Sequence, residues 1–372
     1  MGVKGWKKVR IEDIAESVAM GPFGSNIKSD NFVSRGVPVI RGVNLSEGRF
    51  KEDGFVFVTD QKADELKKSN AFPNDIILTH RGTLGQVGII PCTGKYERYV
   101  VSQSQMRLTC DKIVANPLFI YYYFKSEYGR NALLANTVTT GVPAIARPLS
   151  SLKVIELFLP GLNEQEQIAR ILSALDDKIE LNNRINKTLE EIAQAIFKHW
   201  FVDFEFPDEN GQPYKSSGGE MEDSELGPIP KGWTVDTLGE LIDICSGKRP
   251  KSRQATKSST HPYPLIGART IMGYVDEYLY NKPIIVTGRV GTHGVVRRYS
   301  GETWPSDNTL VVESKYFHSI YQWMSGLDYS SLNRGSTQPL ITQTDIKNQC
   351  IIRPTESFLV KYEHLATISI MQ

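Results

Sequence analysis

Two Gly-Thr-x-Gly runs, each led by an arginine, are the residues of this 372-residue chain best suited to grip an anion. In the first, Arg81 leads Gly82, Thr83, Leu84 and Gly85. In the second, Arg289 precedes Gly291, Thr292, His293 and Gly294. Glycine lets a backbone approach a phosphate closely, and an arginine fork beside it can clasp phosphate or the guanine edge. The same residues also suit a tight hairpin turn. In "VSQSQMR", Gln103, Gln105 and Arg107 take alternate positions of an expected strand. Glutamine and arginine can read adenine and guanine edges in a major groove, or can simply form a strand's wet face. A third set lies in "GKRPKSRQATKSST", residues 247–260, where Lys248, Arg249, Lys251, Arg253 and Lys257 stand without an acid. Such a loop suits phosphate contacts, and equally suits a solvated, disordered stretch.

Other chemistry is absent or weakly signalled. There is no GxGxxG after a strand, no GxxxxGK[ST], no Gly-x-Ser-x-Gly elbow and no [DNS]-P-P-[YFW] tetrapeptide. The six histidines have no metal-ligand spacing, so no metal site is expected. "PSDNTLVVESK" places Asp307 ahead of Glu313 and Lys315, a short version of the Asp…Glu-x-Lys core of metal-dependent nucleases. That leaves a stand-alone metal-dependent nuclease as an alternative reading. The corresponding "SQSQMRLTCDK" has no such pair of acids.

The elements that must position these residues come in two copies. "KGWKKVRIEDIA" near the start is matched by "KGWTVDTLGELI" from Lys231. "DIILTHRGTLGQVG" is matched by "PIIVTGRVGTHGVV", and "TTGVPAIARPLSSLKVIELFLP" by "NRGSTQPLITQTDIKNQCIIRP". The offset falls from 227 to 194 residues, so the second copy is about 33 residues shorter. A repeat this long is a duplicated domain rather than a solenoid unit. Each copy reads as short strands between glycine-rich turns plus one helix, near residues 116–134 in the first and 314–326 in the second. Asn116 and Pro117 form an N-cap and first-turn pair. The aromatic "FIYYYFKSEY" reads as core packing.

Between the copies, residues 163–200 carry Ile168, Leu175, Asn182, Leu189 and Ile196 at seven-residue intervals, with Ile171, Ile185 and Ile192 three further on. This spacing predicts a coiled-coil helix of roughly 55 Å that needs a partner, its N-terminus capped by Asn163 with Glu166. The expected organisation is domain one at 1–160, spacer helix at 161–206 and linker at 207–230, then domain two at 231–354. A second helix opens at 355–372, with Phe358, Tyr362 and Leu365 at helical spacing. The fold class is α+β: two similar mixed α/β domains separated by a long coiled-coil-type helix, in a pseudo-two-fold internal repeat.

Charge follows the same division. Residues 1–160 hold 21 Lys and Arg against 15 Asp and Glu, residues 161–230 hold 6 against 15, and residues 231–372 hold 16 against 12. Two basic blocks flank an acidic one, a pattern that the net charge of +1 conceals. With 40% hydrophobic residues, no apolar run of membrane-spanning length and four scattered cysteines, the chain reads as a reduced cytoplasmic protein. A coiled-coil adaptor with no nucleic-acid role is the other alternative.

The paired "GWKKVRIEDIA" and "GWTVDTLGELI", the two GT(L/H)G runs and "LPGLNEQEQIARILSALDDKIELNNRINKTLEEIAQAIFKHWFVDF" together resemble the specificity (S) subunit of type I restriction–modification systems, over essentially the whole chain. The resemblance implies a non-catalytic subunit with two target recognition domains, each reading half of a bipartite, asymmetric site in double-stranded DNA. The spacer helices would pack antiparallel, hold the domains apart and carry two modification subunits. Those subunits would supply S-adenosylmethionine-dependent adenine-N6 methylation, and restriction subunits would add ATP- and Mg-dependent translocation and cleavage. No cofactor is expected on this chain. The family pattern also implies a second spacer helix as long as the first, against which residues 356–372 read as truncated. A partner that short covers the 189–200 end and leaves the stripe from Ile168 to Ile185 open to self-association or a partner chain.

Overall fold

The computed structural model describes residues 5–24, 26–45, 49–290, 294–332 and 340–371, with side chains as far as Thr367. The chain divides into two compact units, Met1–Asn182 and Asn183–Gln372. Each is built around two four-stranded sheets. In the first unit, one sheet runs in the order Ala15–Met20, Gln105–Cys110, Ile76–Thr79, Val87–Ile89, all antiparallel. The second runs Val56–Val58, Val37–Ile40, Tyr99–Val101, Asn70–Ala71. Its middle pair, Val37–Ile40 with Tyr99–Val101, is parallel.

The second unit repeats this arrangement strand for strand. Asp243–Ser246, Thr309–Glu313, Ile284–Gly288 and Val296–Tyr299 form the antiparallel sheet. Ile271–Val275, Tyr263–Ile266, Glu302–Pro305 and Tyr280–Asn281 form the other, with Tyr263–Ile266 and Glu302–Pro305 again the parallel pair. Both Ile76–Thr79 and Ile284–Gly288 are buried at every position. That is why each opens on an apolar run, Ile76 to Leu78 and Ile284 to Val286, rather than on an alternation.

The shared backbone fixes which residues correspond. Gly21 N donates to Gln105 O, as Gly247 N does to Thr309 O, each at 3.0 Å. His80 N donates to Ser104 O, as Arg289 N does to Asn308 O, each at 2.9 Å. Arg81 bridges Ala144, as Val290 bridges Leu340. The equivalent of Arg289 is therefore His80, one residue before the arginine that heads the first Gly-Thr-x-Gly run.

Each unit opens alike. Lys7–Arg10 pairs with Glu156–Leu159, and Thr234–Thr237 pairs with Cys350–Arg353. Gly5 and Gly232 before them hold left-handed φ of +94° and +80°, a conformation a side chain would strain. Trp6 Nε1 then donates to Glu164 at 3.1 Å, while Trp233 packs on Phe358, so each tryptophan docks on the start of the helix that closes its own unit.

The helix Leu162–Phe197 spans 36 residues and runs into a π-helical turn, Lys198–Val202. It begins earlier than the Asn163 cap requires, because Gln165 N already donates to Gly161 O. Gln165, wholly buried, pins that end by donating to the carbonyls of Val114 and Pro160 and accepting from Asn116 N. Asn116 in turn caps Pro117–Lys125, accepting from Leu118 N and Phe119 N. The single helix expected there is two, because Ser126 adopts an extended conformation and caps Glu127–Leu134 through Gly129 N. Phe119, Tyr121 and Phe124 are core residues.

Residues 207–230 are not a free linker. Tyr214 stacks on Phe206 at 4.6 Å, Met221–Glu222 pairs with Ile229–Pro230, and Ile229 is buried with Phe204, Phe206 and Trp233. The prolines and glycines there mark turns, and Tyr214, Met221 and Ile229 between them pack on Phe204, Phe206 and Trp233, which orders the segment. Among the described residues, no helix is long and apolar enough to cross a membrane.

Candidate nucleic-acid interface

In the first unit the two sheets end together at one edge, where five loops meet. The turn after Ile40, the loop after Met20 and the turn at residues 102–105 are tied by Ser102 N to Ile40 O at 3.0 Å and Gly21 N to Gln105 O. Gly82 N donates to Pro143 O at 2.8 Å, which brings in the loop at residues 139–147. Arg81, Thr83 and Gln103 are exposed on this edge, with Phe23 (78% exposed) and Val142 (57%) around them. Gly82 holds φ +91° with open space where a side chain would stand, so backbone conformation requires this glycine.

Gln105 and Arg107 do not join that surface, which corrects their reading as base contacts. Gln105 is 2% exposed, and its amide lies in a chain of contacts through Ser102 Oγ, Thr79 Oγ1 and Gln86 to Gly42 O. It locks three of the loops together, a positioning role. Arg107 donates to Asn70 O at 2.8 Å and Ser17 Oγ at 3.0 Å, and lies 3.7 Å from buried Asp75. Alternation suggested a wet face, but Gln105–Cys110 lies inside its sheet, with Gln105 buried and Arg107 and Thr109 half-buried.

His80, missed in the sequence, supports the edge from below. It is 6% exposed and its Nε2 lies 3.1 Å from Gln103 O. Burial lowers its pKa below the ordinary imidazole range, outweighing the Gln103 hydrogen bond. A histidine held neutral in this way contributes stability above its unfolded pKa of about 6.5, and that stability is lost as pH falls. Wild-type protein is therefore expected to lose more melting temperature between pH 7.5 and 5.5 than His80→Asn does, measured by thermal unfolding.

The second unit forms the same edge with more basic side chains. Lys248, Arg249, Lys251 and Arg253 are exposed, and Arg289 is half-buried. Lys248 is fixed at the edge by its N–H to Pro305 O at 3.0 Å and by Trp304 Nε1 to its own carbonyl at 2.7 Å. The loop beyond it is ordered. Ser252 Oγ lies 3.0 Å from His261 Nε2, and Gln254 exchanges two backbone hydrogen bonds with Tyr274. The same Ser252 hydroxyl holds the exposed Asp276 carboxyl below its usual range. Exposed Arg269, Asp307 and Asn308, not singled out as contacts from sequence, also lie on this edge. The strand register shows that Asp307 and Asn308 take the places of Gln103 and Ser104. Thr292 and His293 lie outside the described residues.

The nuclease triad does not converge. Asp307 lies in the turn before Thr309–Glu313 and Glu313 at the strand's far end, where its carboxylate pairs with Lys282. Lys315 is 2.6 Å from Glu356. Among the described residues, no group of three His, Cys, Asp or Glu could hold a metal ion.

The expected helix-packing set divides. In the first unit, the long helix docks with other residues: Asp176 accepts from Tyr122 at 2.9 Å, Arg49 meets Ser173 and Asp177, and Ala169 enters the core. Ile168 is half-buried against that core. Leu175 (58%) and Ile171 (61%) are exposed, as is Asn182. In the second unit, Leu189 is half-buried and Ile196 exposed, while Phe197 and Phe201 do the packing. Phe201 lies 4.9 Å from Tyr362 and Trp200 lies 5.5 Å from Phe358, on the helix Glu356–Met371. Tyr362 is buried and Leu365 exposed.

Two copies of one mixed fold, each presenting polar and basic loops at the same edge, define a duplicated recognition module. Comparison with known proteins places it: residues 3–191 and 230–357 match the type I restriction modification DNA specificity domain, and the chain belongs to that family. It is similar to the type I restriction enzyme MjaIX specificity subunit of Methanocaldococcus jannaschii, 26% identical over 97% of this chain and 86% of that protein. The HindI specificity subunit of Haemophilus influenzae is 36% identical over 41% of this chain and 35% of its own length. The crystal structure of a type I restriction–modification system S subunit from M. genitalium shares the fold. Its TM-score is 0.56 at 18% identity, covering 98% of this chain and 89% of that one.

Proposed function

We propose that this specificity subunit reads a bipartite, asymmetric site in double-stranded DNA, one repeat to each half. The observation that carries this reading is the edge built twice on one backbone with different side chains: Arg81, Thr83 and Gln103 in one unit, Lys248, Arg249 and Arg253 in the other. A kept framework favours one mode of docking, and unlike tips favour unlike half-sites. The chain contributes recognition, and the chemistry belongs to partners: two modification subunits with S-adenosylmethionine, and restriction subunits with ATP and Mg. The exposed apolar residues Ile171, Leu175, Ile179 and Ile185 on the long helix support packing against a partner subunit or a second copy.

Titrating the chain with modification subunits against duplex DNA at several salt concentrations tests the reading. The expected result is binding that weakens linearly in log–log form with salt, and tighter retention of a subset of genomic fragments. Salt-independent or absent binding would favour the adaptor reading.

A further inference from the structure

The two units share the backbone hydrogen bonds of one short turn. In each, a serine opens a four-residue turn whose last N–H returns to the serine carbonyl: Gln105 N to Ser102 O at 3.1 Å, and Thr309 N to Ser306 O at 3.0 Å. The serine N–H is donated to the neighbouring parallel strand, at Ile40 O in one unit and Ile266 O in the other. The carbonyl of the second tip residue accepts from the next loop, through His80 N and Arg289 N respectively. That loop is held in turn by Ile145 N to His80 O and by Ile341 N to Arg289 O.

Four of the residues that frame this turn are the same in both copies: Gly21 and Gly247, Ile40 and Ile266, Ser102 and Ser306, Ile145 and Ile341. The glycines have a visible reason. A Cβ on Gly21 would run into the carbonyl of Ser102, and one on Gly247 into the carbonyl of Ser306. Each turn is thus clamped from above by a backbone that tolerates no side chain, and from the sides by two loops. Such a clamp fixes side-chain position closely, which base readout needs and a plain surface turn does not.

Within the turn the fourth residue is buried in both units, Gln105 in one and Thr309 in the other, so the outward difference lies at the tip: Gln103 and Ser104 in one unit, Asp307 and Asn308 in the other. Gln103, Asp307 and Asn308 are all exposed. Their chemistry suits base edges. The amides of Gln103 and Asn308 can donate and accept together, as adenine N6 and N7 require, and the Asp307 carboxylate can accept from the cytosine amino group. A carboxylate is poorly placed for phosphate, so Asp307 at an edge otherwise rich in Lys and Arg points to a base rather than to backbone.

We infer that these two tips are the equivalent specificity-determining positions of the two repeats, each reading a base pair in its own half-site. The inference rests on the DNA-reading function proposed above. It is tested by enriching a randomised duplex DNA library on the full chain with its modification subunits, as wild type, Gln103→Ala, and Asp307→Ala with Asn308→Ala. Each variant is expected to lose roughly tenfold to a hundredfold of preference at one base pair of one half of the motif, and to leave the other half unchanged. Gln103→Glu keeps the side-chain length and should exchange the preferred base rather than merely lose it. A wild-type motif unchanged in all variants would overturn the inference and leave the proposed function standing. Loss of both halves together, with thermal unfolding unchanged, would also overturn it. A wild-type chain that enriches no motif would overturn the proposed function itself.

Discussion

Asp75→Ala is expected to destabilise the first repeat by about 3–5 kcal/mol, the usual cost of leaving one member of a buried charged pair alone. Asp75 is 2% exposed; it accepts from Thr109 Oγ1 at 2.5 Å and from Phe72 N at 2.8 Å, with Arg107 at 3.7 Å. Burial raises its carboxyl pKa, and the Thr109, Phe72 and Arg107 contacts only partly oppose that. Without the carboxylate, the Arg107 guanidinium stays inside the fold, tied to Asn70 O and Ser17 Oγ, and loses the countercharge of Asp75. The second repeat supplies the control. By the strand register, Ile284 and Val311 occupy the places of Asp75 and Arg107, and both are fully buried. Asp75→Ile with Arg107→Val should therefore recover more than half of the loss in chemical unfolding. A double variant no more stable than the single one would contradict the correspondence of the two cores.

Removing the exposed cations of the second unit should have the largest effect on DNA binding. Each phosphate contact contributes about 0.9 to the slope of log affinity against log salt. Lys248→Ala, Arg249→Ala and Arg253→Ala together are expected to lower that slope by about 2 to 3, with the loss greatest at low salt. Because these side chains are exposed and Lys248 is held through its backbone, folding should be unaffected. Titration of the triple variant against duplex DNA, beside its melting temperature, checks both. An unchanged slope would place the phosphate contacts elsewhere.

The duplication, the fully buried strands and the long helix were legible in the sequence because each leaves a local mark: a repeated Gly-Trp, an apolar run, a seven-residue spacing. What was not legible depends on which surfaces meet. Gln105 and Arg107 alternate like a solvent-facing pair, yet Gln105 is buried and Arg107 half-buried. The heptad stripe was sound as a pattern. The helix nevertheless docks on its own units through Gln165, Ala169, Asp176 and Phe197, and exposes Leu175 and Asn182. Residues 207–230 look unstructured by composition, because their anchors, Tyr214, Met221 and Ile229, are isolated apolar residues with no period to detect, and they pack on Phe204, Phe206 and Trp233 outside the segment. The edge itself was half legible. Arg81 and Gln103 were singled out by type, whereas His80, Asp307 and Asn308 emerge only when the strand register aligns the copies.

The measurement that bears most directly on two reading domains is the genome-wide N6-methyladenine pattern of cells expressing this chain with its modification subunit, against cells lacking the chain. The account predicts one new motif of two unlike halves separated by a fixed gap. A contiguous motif, two identical halves, or no new motif would contradict it.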